Sequence, residues 1–132
     1  MKKLILVALG VFAFAGMPKN HMDTNDAGLK LAFAGKYKAA LKNFSDRCDT
    51  KNDAWACGEA GYFYFKGWGS AKNTLLANKY YKKGCEFGDS DSCALLGYET
   101  CSKGNKLEAK KLIDKACKLG NKTACSYLKS KF

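Results

Sequence analysis

Cys85-Glu86-Phe87-Gly88-Asp89-Ser90-Asp91-Ser92-Cys93 is followed, 32 residues later, by Cys117-Lys118-Leu119-Gly120-Asn121-Lys122-Thr123-Ala124-Cys125. Both stretches hold two cysteines eight apart, a glycine three places after the first, and polar residues before the second. Upstream, Ala77, Tyr80, Tyr81 and Gly84 fall at i, i+3, i+4 and i+7, one face of an α-helix. The same shift carries them onto Ala109, Leu112, Ile113 and Ala116. Gly88 and Gly120 stand where each helix should stop, since glycine accepts a left-handed cap without strain. Asp91 or Ser92 is a suitable N-cap for the helix that carries Cys93.

Outward from this frame the pattern continues. A shift of 36 maps Cys57, Gly61 and Tyr62 onto Cys93, Gly97 and Tyr98. A shift of 69 maps Gly28, Gly35, Ala40, Phe44 and Cys48 onto Gly97, Gly104, Ala109, Ile113 and Cys117. Three copies at this period are the signature of a stacked helical solenoid. The expected helix pairs are 24–34 with 37–48, 54–66 with 74–87, and 91–103 with 106–119, closed by a capping helix over 122–130. In each copy one cysteine ends a second helix and the next opens the following first helix. The turn between them brings two antiparallel helices together, so disulfides Cys48–Cys57, Cys85–Cys93 and Cys117–Cys125 would staple successive repeats. Closing about nine residues stabilises by roughly 2–3 kcal/mol in the loop-entropy picture. That matters for an elongated chain with a thin core.

The 132 residues carry a formal charge of +11, from 22 lysines and a single arginine, Arg47, against 12 acids. One proline and a 47% apolar content exclude collagen-like and proline-rich disordered chains. A single histidine, His21, excludes a histidine-rich metal site, and the absence of any Cys-x-x-Cys argues against zinc or thioredoxin-like chemistry. At the N-terminus, Met1-Lys2-Lys3, the apolar run Leu4 to Phe14, and Ala13-Phe14-Ala15 follow the order of a secretory signal. Residues 1–15 read as a signal peptide, 16–25 as a polar leader containing His21, and 26–132 as the repeat domain. The apolar run is short of the roughly 20 residues that span a bilayer, and no cysteine near the cleavage site suggests a lipid anchor. Export to the periplasm or the exterior is expected, and there cysteines are read as disulfides.

Helix pairs with Gly61, Tyr64 and Gly67 in a Gly-x-x-Tyr-x-x-Gly element resemble Sel1-like repeats, relatives of the tetratricopeptide repeat. The Cys-x7-Cys staples resemble those of secreted cysteine-rich Sel1-repeat proteins, the Hcp beta-lactamase family. The resemblance covers about residues 27–130. It departs at Cys48 and Cys57, one residue further apart, and at the trimmed inter-helix loop of the third repeat. It implies an all-α, right-handed α/α solenoid and binding or slow hydrolysis of beta-lactams.

The residues themselves give that chemistry little support. Serine beta-lactamases use Ser-x-x-Lys together with Ser-Asp-Asn and Lys-Thr-Gly motifs. Ser126-Tyr127-Leu128-Lys129 is the one Ser-x-x-Lys, and seven serines in so lysine-rich a chain yield about one by chance. Ser126 and Lys129 are therefore weak catalytic candidates, and Ser90-Asp91-Ser92 and Lys122-Thr123-Ala124 only imitate the other motifs. No histidine within the repeats can act as a base. Tyr62-Phe63-Tyr64-Phe65 with Trp68 is the densest aromatic stretch; it either packs between repeats or, through Tyr62, Lys66, Trp68 and Tyr98, lines a ligand groove on the first helices. Lys111, Lys115, Lys118 and Lys122 form a basic stripe, either a solvated face or a site for an anionic surface. One arginine is few for nucleic-acid recognition, so no nucleic-acid partner is expected. Cys101 is left over, and its register matches Ala32: a packed free thiol, or one half of an intermolecular disulfide. The expected role is a binding scaffold for a peptide, a peptidoglycan fragment or another protein, with a beta-lactam hydrolase as the alternative and no cofactor, metal or membrane span.

Overall fold

The computed structural model describes residues 25–132, and the expected signal peptide and all but the last residue of the leader lie outside the described residues. Seven α-helices follow in chain order: α1 Ala27–Phe33, α2 Tyr37–Lys51, α3 Ala54–Lys66, α4 Thr74–Glu86, α5 Ser90–Ser102, α6 Lys106–Lys118 and α7 Lys122–Lys131. No strand occurs among the described residues. Each helix packs on its chain neighbours, and α3 also meets α5, so the helix pairs stack into an α/α solenoid.

The helical faces read from the sequence are the ones that pack. Ala77, Tyr81 and Gly84 of α4 are buried, as are Ala109, Ile113 and Ala116 of α6, while Tyr80 and Leu112 at the margin are half-buried. Two apolar clusters result. Leu29, Leu41, Phe44, Trp55 and Phe63 centre the first, and Cys85, Cys93, Ala94, Ile113 and Ala124 the second. Small residues set the helix spacing. A Cβ on Gly61 would lie 2.7 Å from the Tyr81 ring, and one on Gly97 2.6 Å from the Ile113 side chain.

Disulfides join Cys48 to Cys57, Cys85 to Cys93 and Cys117 to Cys125, with Cα–Cα distances of 4.7, 4.6 and 4.6 Å. Each ties the end of a second helix to the start of the next first helix. The turns between them differ in one respect. Gly88 and Gly120 carry positive φ of 99° and 102°, whereas after α2 the left-handed residue is Asn52, at φ 52°. The Cys48–Cys57 spacing is one residue longer, and α2 runs on to Lys51, three residues past its expected end.

The helix starts correct one expectation. The N-cap of α5 is neither Asp91 nor Ser92 but Asp89, whose carboxylate accepts the Ser92 amide at 3.0 Å. Asp91 and Ser92 lie within the first turn. Asp89 belongs to a series one repeat apart: Asp53 caps α3 and Asn121 caps α7, each accepting the amide three residues on.

Candidate functional site

Where α3, α4 and α5 meet, the C-terminal half of one repeat and the opening of the next leave a groove of about 230 Å³. Its wall is Phe65 from α3, Asn78 and Tyr81 from α4, and Leu95, Tyr98, Glu99 and Ser102 from α5. The sequence places them by helical period: Leu95, Tyr98, Glu99 and Ser102 stand at i, i+3, i+4 and i+7. Three aromatic rings and a leucine make the surface apolar, while Asn78, Glu99 and Ser102 add polar groups that fix orientation, the composition of a ligand site. A larger hollow of about 470 Å³ at the end of α2 is walled mainly by the charged groups of Asp49, Lys79, Lys82, Lys83 and Glu86, with Asn52, Tyr80 and Phe87 beside them.

Apart from the groove wall, α3 and the start of α5 carry buried acids. Glu59 is 2% exposed, and Asp89 and Asp91 are each 7% exposed. Burial first, then the neighbouring Asp89 and Asp91 charges, pushes the Glu59 carboxyl well above its usual range. Burial followed by Asp89 pushes Asp91 to about 8. Burial pushes Asp89 to about 6, against the lowering effect of its bonds from the Ser92 hydroxyl, at 2.5 Å, and amide. Asn121 Nδ2 donates to Asp91 Oδ1 at 2.8 Å, and the buried Asp91 Oδ2 has no hydrogen-bond partner. Gly58 and Gly84 clear the space for this arrangement: a Cβ on Gly58 would lie 2.5 Å from Asp89 Oδ2, and one on Gly84 would meet the Ser92 hydroxyl. Tyr81 and Tyr98 are pushed up by burial first and then by these acids. Among the described residues no group of three or more His, Cys, Asp or Glu side chains is placed to hold a metal ion.

The first repeat solves the same junction with charge pairing. Arg47 donates to Asp26 at 3.1 Å and to Asp53 at 2.9 Å, linking the N-caps of α1 and α3. Its guanidinium lies 5.4 Å from the Trp55 ring centroid and 5.9 Å from that of Phe44.

The residues expected to line a groove are not gathered in one place. Tyr98 lines it. Trp68 stacks on Tyr37 at 5.6 Å and meets Tyr62 edge-on at 5.5 Å, so these two pack against the first core cluster, one repeat away. Lys66 is exposed at the end of α3. Ser126 and Lys129 are both exposed on α7. The lysines of the expected basic stripe, Lys111, Lys115, Lys118 and Lys122, are exposed, and Lys118 pairs with Asp114 at 2.9 Å. Cys101 is the one free cysteine; it is half-buried, and the Tyr127 hydroxyl donates to its sulfur at 3.7 Å.

Sequence reading missed Phe65, Asn78, Tyr81, Leu95, Glu99 and Ser102 as groove residues, and it missed Glu59. Glu59 did leave a signal: it is the one charged residue between Ala54 and Phe65, inside an otherwise apolar and small-residue helix. Leu95, Tyr98, Glu99 and Ser102 share one helical face, but their meeting with Phe65, Asn78 and Tyr81 left no signal, because it depends on the relative placement of three helices that no single helical period encodes.

No family model matches the chain. A curated relative, the cytochrome c oxidase assembly factor 7 homolog of Drosophila melanogaster, is 36% identical over 70 residues, or 51% of this chain and 26% of the relative. The chain thus matches about a quarter of that protein's length.

Proposed function

We propose that the protein is an exported, Sel1-like repeat scaffold that binds a peptide segment of another protein, or a peptide-bearing peptidoglycan fragment, in the groove between α3, α4 and α5. The observation that carries this reading is the groove's wall: Phe65, Tyr81, Leu95 and Tyr98 offer an apolar slot, edged by the polar side chains of Asn78, Glu99, which pairs with Lys103, and Ser102, whose hydroxyl donates to the Glu99 carbonyl. A slot of about 230 Å³ suits one or two side chains of a longer ligand rather than a whole drug-sized molecule. Three disulfides suit an oxidising compartment, and one of them, Cys85–Cys93, ties together two of the groove's helices, α4 and α5. The relative's name, an assembly factor, favours a protein partner.

The test is selection of peptides from a random library on the oxidised full chain, with a muropeptide titrated in parallel. Phe65→Ala, at a partly exposed position that the fold tolerates, weakens the selected ligand at least about tenfold, as does Tyr98→Ala. Ligands indifferent to both substitutions contradict the reading. Turnover of a chromogenic cephalosporin that Ser126→Ala abolishes would replace it with the hydrolase that the family resemblance implies.

A further inference from the structure

The most exposed large apolar side chains among the described residues are Leu75, 83% exposed, and Leu107, 70% exposed. Both are the second residue of their helices, α4 and α6, and both follow an asparagine N-cap, Asn73 or Asn105. They are therefore the same position in successive repeats and project from the stack in the same direction. Each stands two residues before a buried alanine, Ala77 or Ala109, and two residues are about 200° of helix rotation, so each leucine points directly away from the core. No packing among the described residues accounts for them.

Their surroundings are basic. Segments 72–79 and 103–111 hold six lysines, Lys72, Lys79, Lys103, Lys106, Lys110 and Lys111, all exposed, and one acid, Glu108. Lys79 stands at i+4 from Leu75, and Lys110 and Lys111 at i+3 and i+4 from Leu107, the same helix face as the leucines. Lys103 pairs with Glu99 at 3.2 Å and Lys72 lies over the Phe65 ring at 5.3 Å, weak surface contacts that leave both at the rim.

We propose that the N-terminal ends of α4 and α6 form a docking patch for an anionic lipid bilayer, with Leu75 and Leu107 entering the headgroup–acyl boundary and the lysines contacting the headgroups. The pairing of the two features selects this partner. An anionic polymer in water satisfies the lysines but gives the leucines nothing apolar, and a second copy of the chain buries the leucines but brings the lysines together. An anionic bilayer offers negative charge at its surface and hydrocarbon just beneath it. Leu75 and Leu107 lie outside the groove wall, while Lys72 and Lys103 touch its rim at Phe65 and Glu99, so the patch borders the groove.

The test is sedimentation of the oxidised full chain with vesicles containing about one-third phosphatidylglycerol in phosphatidylcholine, against vesicles of phosphatidylcholine alone. Because residues 4–14 are present in every variant, only differences between variants report on the patch. The double variant Leu75→Ser/Leu107→Ser, whose changes lie on exposed positions, lowers partition into anionic vesicles about tenfold or more. Lys79→Gln with Lys110→Gln lowers it by about fivefold per lysine, and raised salt does the same to the wild type. Partition that is unchanged by the leucine substitutions overturns the proposal. So does the absence of any preference for anionic vesicles, and so does equal, leucine-independent binding to dextran sulfate, which would mark the patch as a site for soluble polyanions.

Discussion

Gly84 shows how a single residue is decided by its neighbours. In the interior of α4, alanine would gain about 1 kcal/mol of helix propensity over glycine. A Cβ there would press on the Ser92 hydroxyl and come within 3.1 Å of the Ala54 carbonyl oxygen. Ser92 is fully buried and holds Asp89 through a 2.5 Å hydrogen bond, so it has no room to turn away. Overpacking of this kind costs about 1–3 kcal/mol and outweighs the propensity gain. Gly84→Ala therefore lowers stability by up to about 2 kcal/mol in urea unfolding; a variant more stable than wild type would show that Ser92 is not wedged there. At the same scale, Cys101 is expected to be the one cysteine that an alkylating reagent blocks in unfolded, non-reduced protein. Mass spectrometry that finds peptides joined through Cys57 and Cys85 would contradict the pairing of the staples.

At the scale of the elements, each disulfide fixes one turn between repeats. Replacing Cys85 and Cys93 together by alanine removes a closed loop of about nine residues and costs roughly 2–3 kcal/mol, read as a lower urea midpoint. An unchanged midpoint would mean that packing alone holds α4 against α5. The helices were largely legible in the sequence. The Ala77/Tyr81/Gly84 and Ala109/Ile113/Ala116 faces gave their period, and the cysteine spacing gave the junctions. Two things were not legible. The cap of α5 was sought two or three residues late, because Asp89, Asp91 and Ser92 are all good capping residues and only the backbone selects among them. A groove is expected around Trp68, whose half-buried ring instead packs on the margin of the first core against Tyr37 and Phe63, where the neighbouring helix brings a partner that no linear spacing reveals.

For the whole molecule, the buried acids set the response to pH. Asp91 rises from an ordinary 3.8 to about 8 and Asp89 to about 6, and Glu59 rises as well, each first by burial. The folded chain therefore holds more protons than the unfolded chain across this range, so the contribution of these groups to stability is fullest below about pH 4, where they are protonated in both states, and is lost as pH climbs towards 8. The thermal midpoint is expected to be higher at pH 5 than at pH 8, and Asp91→Asn should flatten that slope, because asparagine can still accept from Asn121 and carries no charge. A midpoint that rises over the same interval would contradict the burial of these carboxyls. The groove between α3, α4 and α5 is the centre of the functional account, and binding there is tested most directly by amide chemical-shift mapping of the full oxidised chain with a selected peptide. The account predicts that shifts concentrate at Phe65, Asn78, Tyr81, Leu95 and Tyr98 and saturate together; shifts gathered instead around Ser126 and Lys129 on α7 would contradict it.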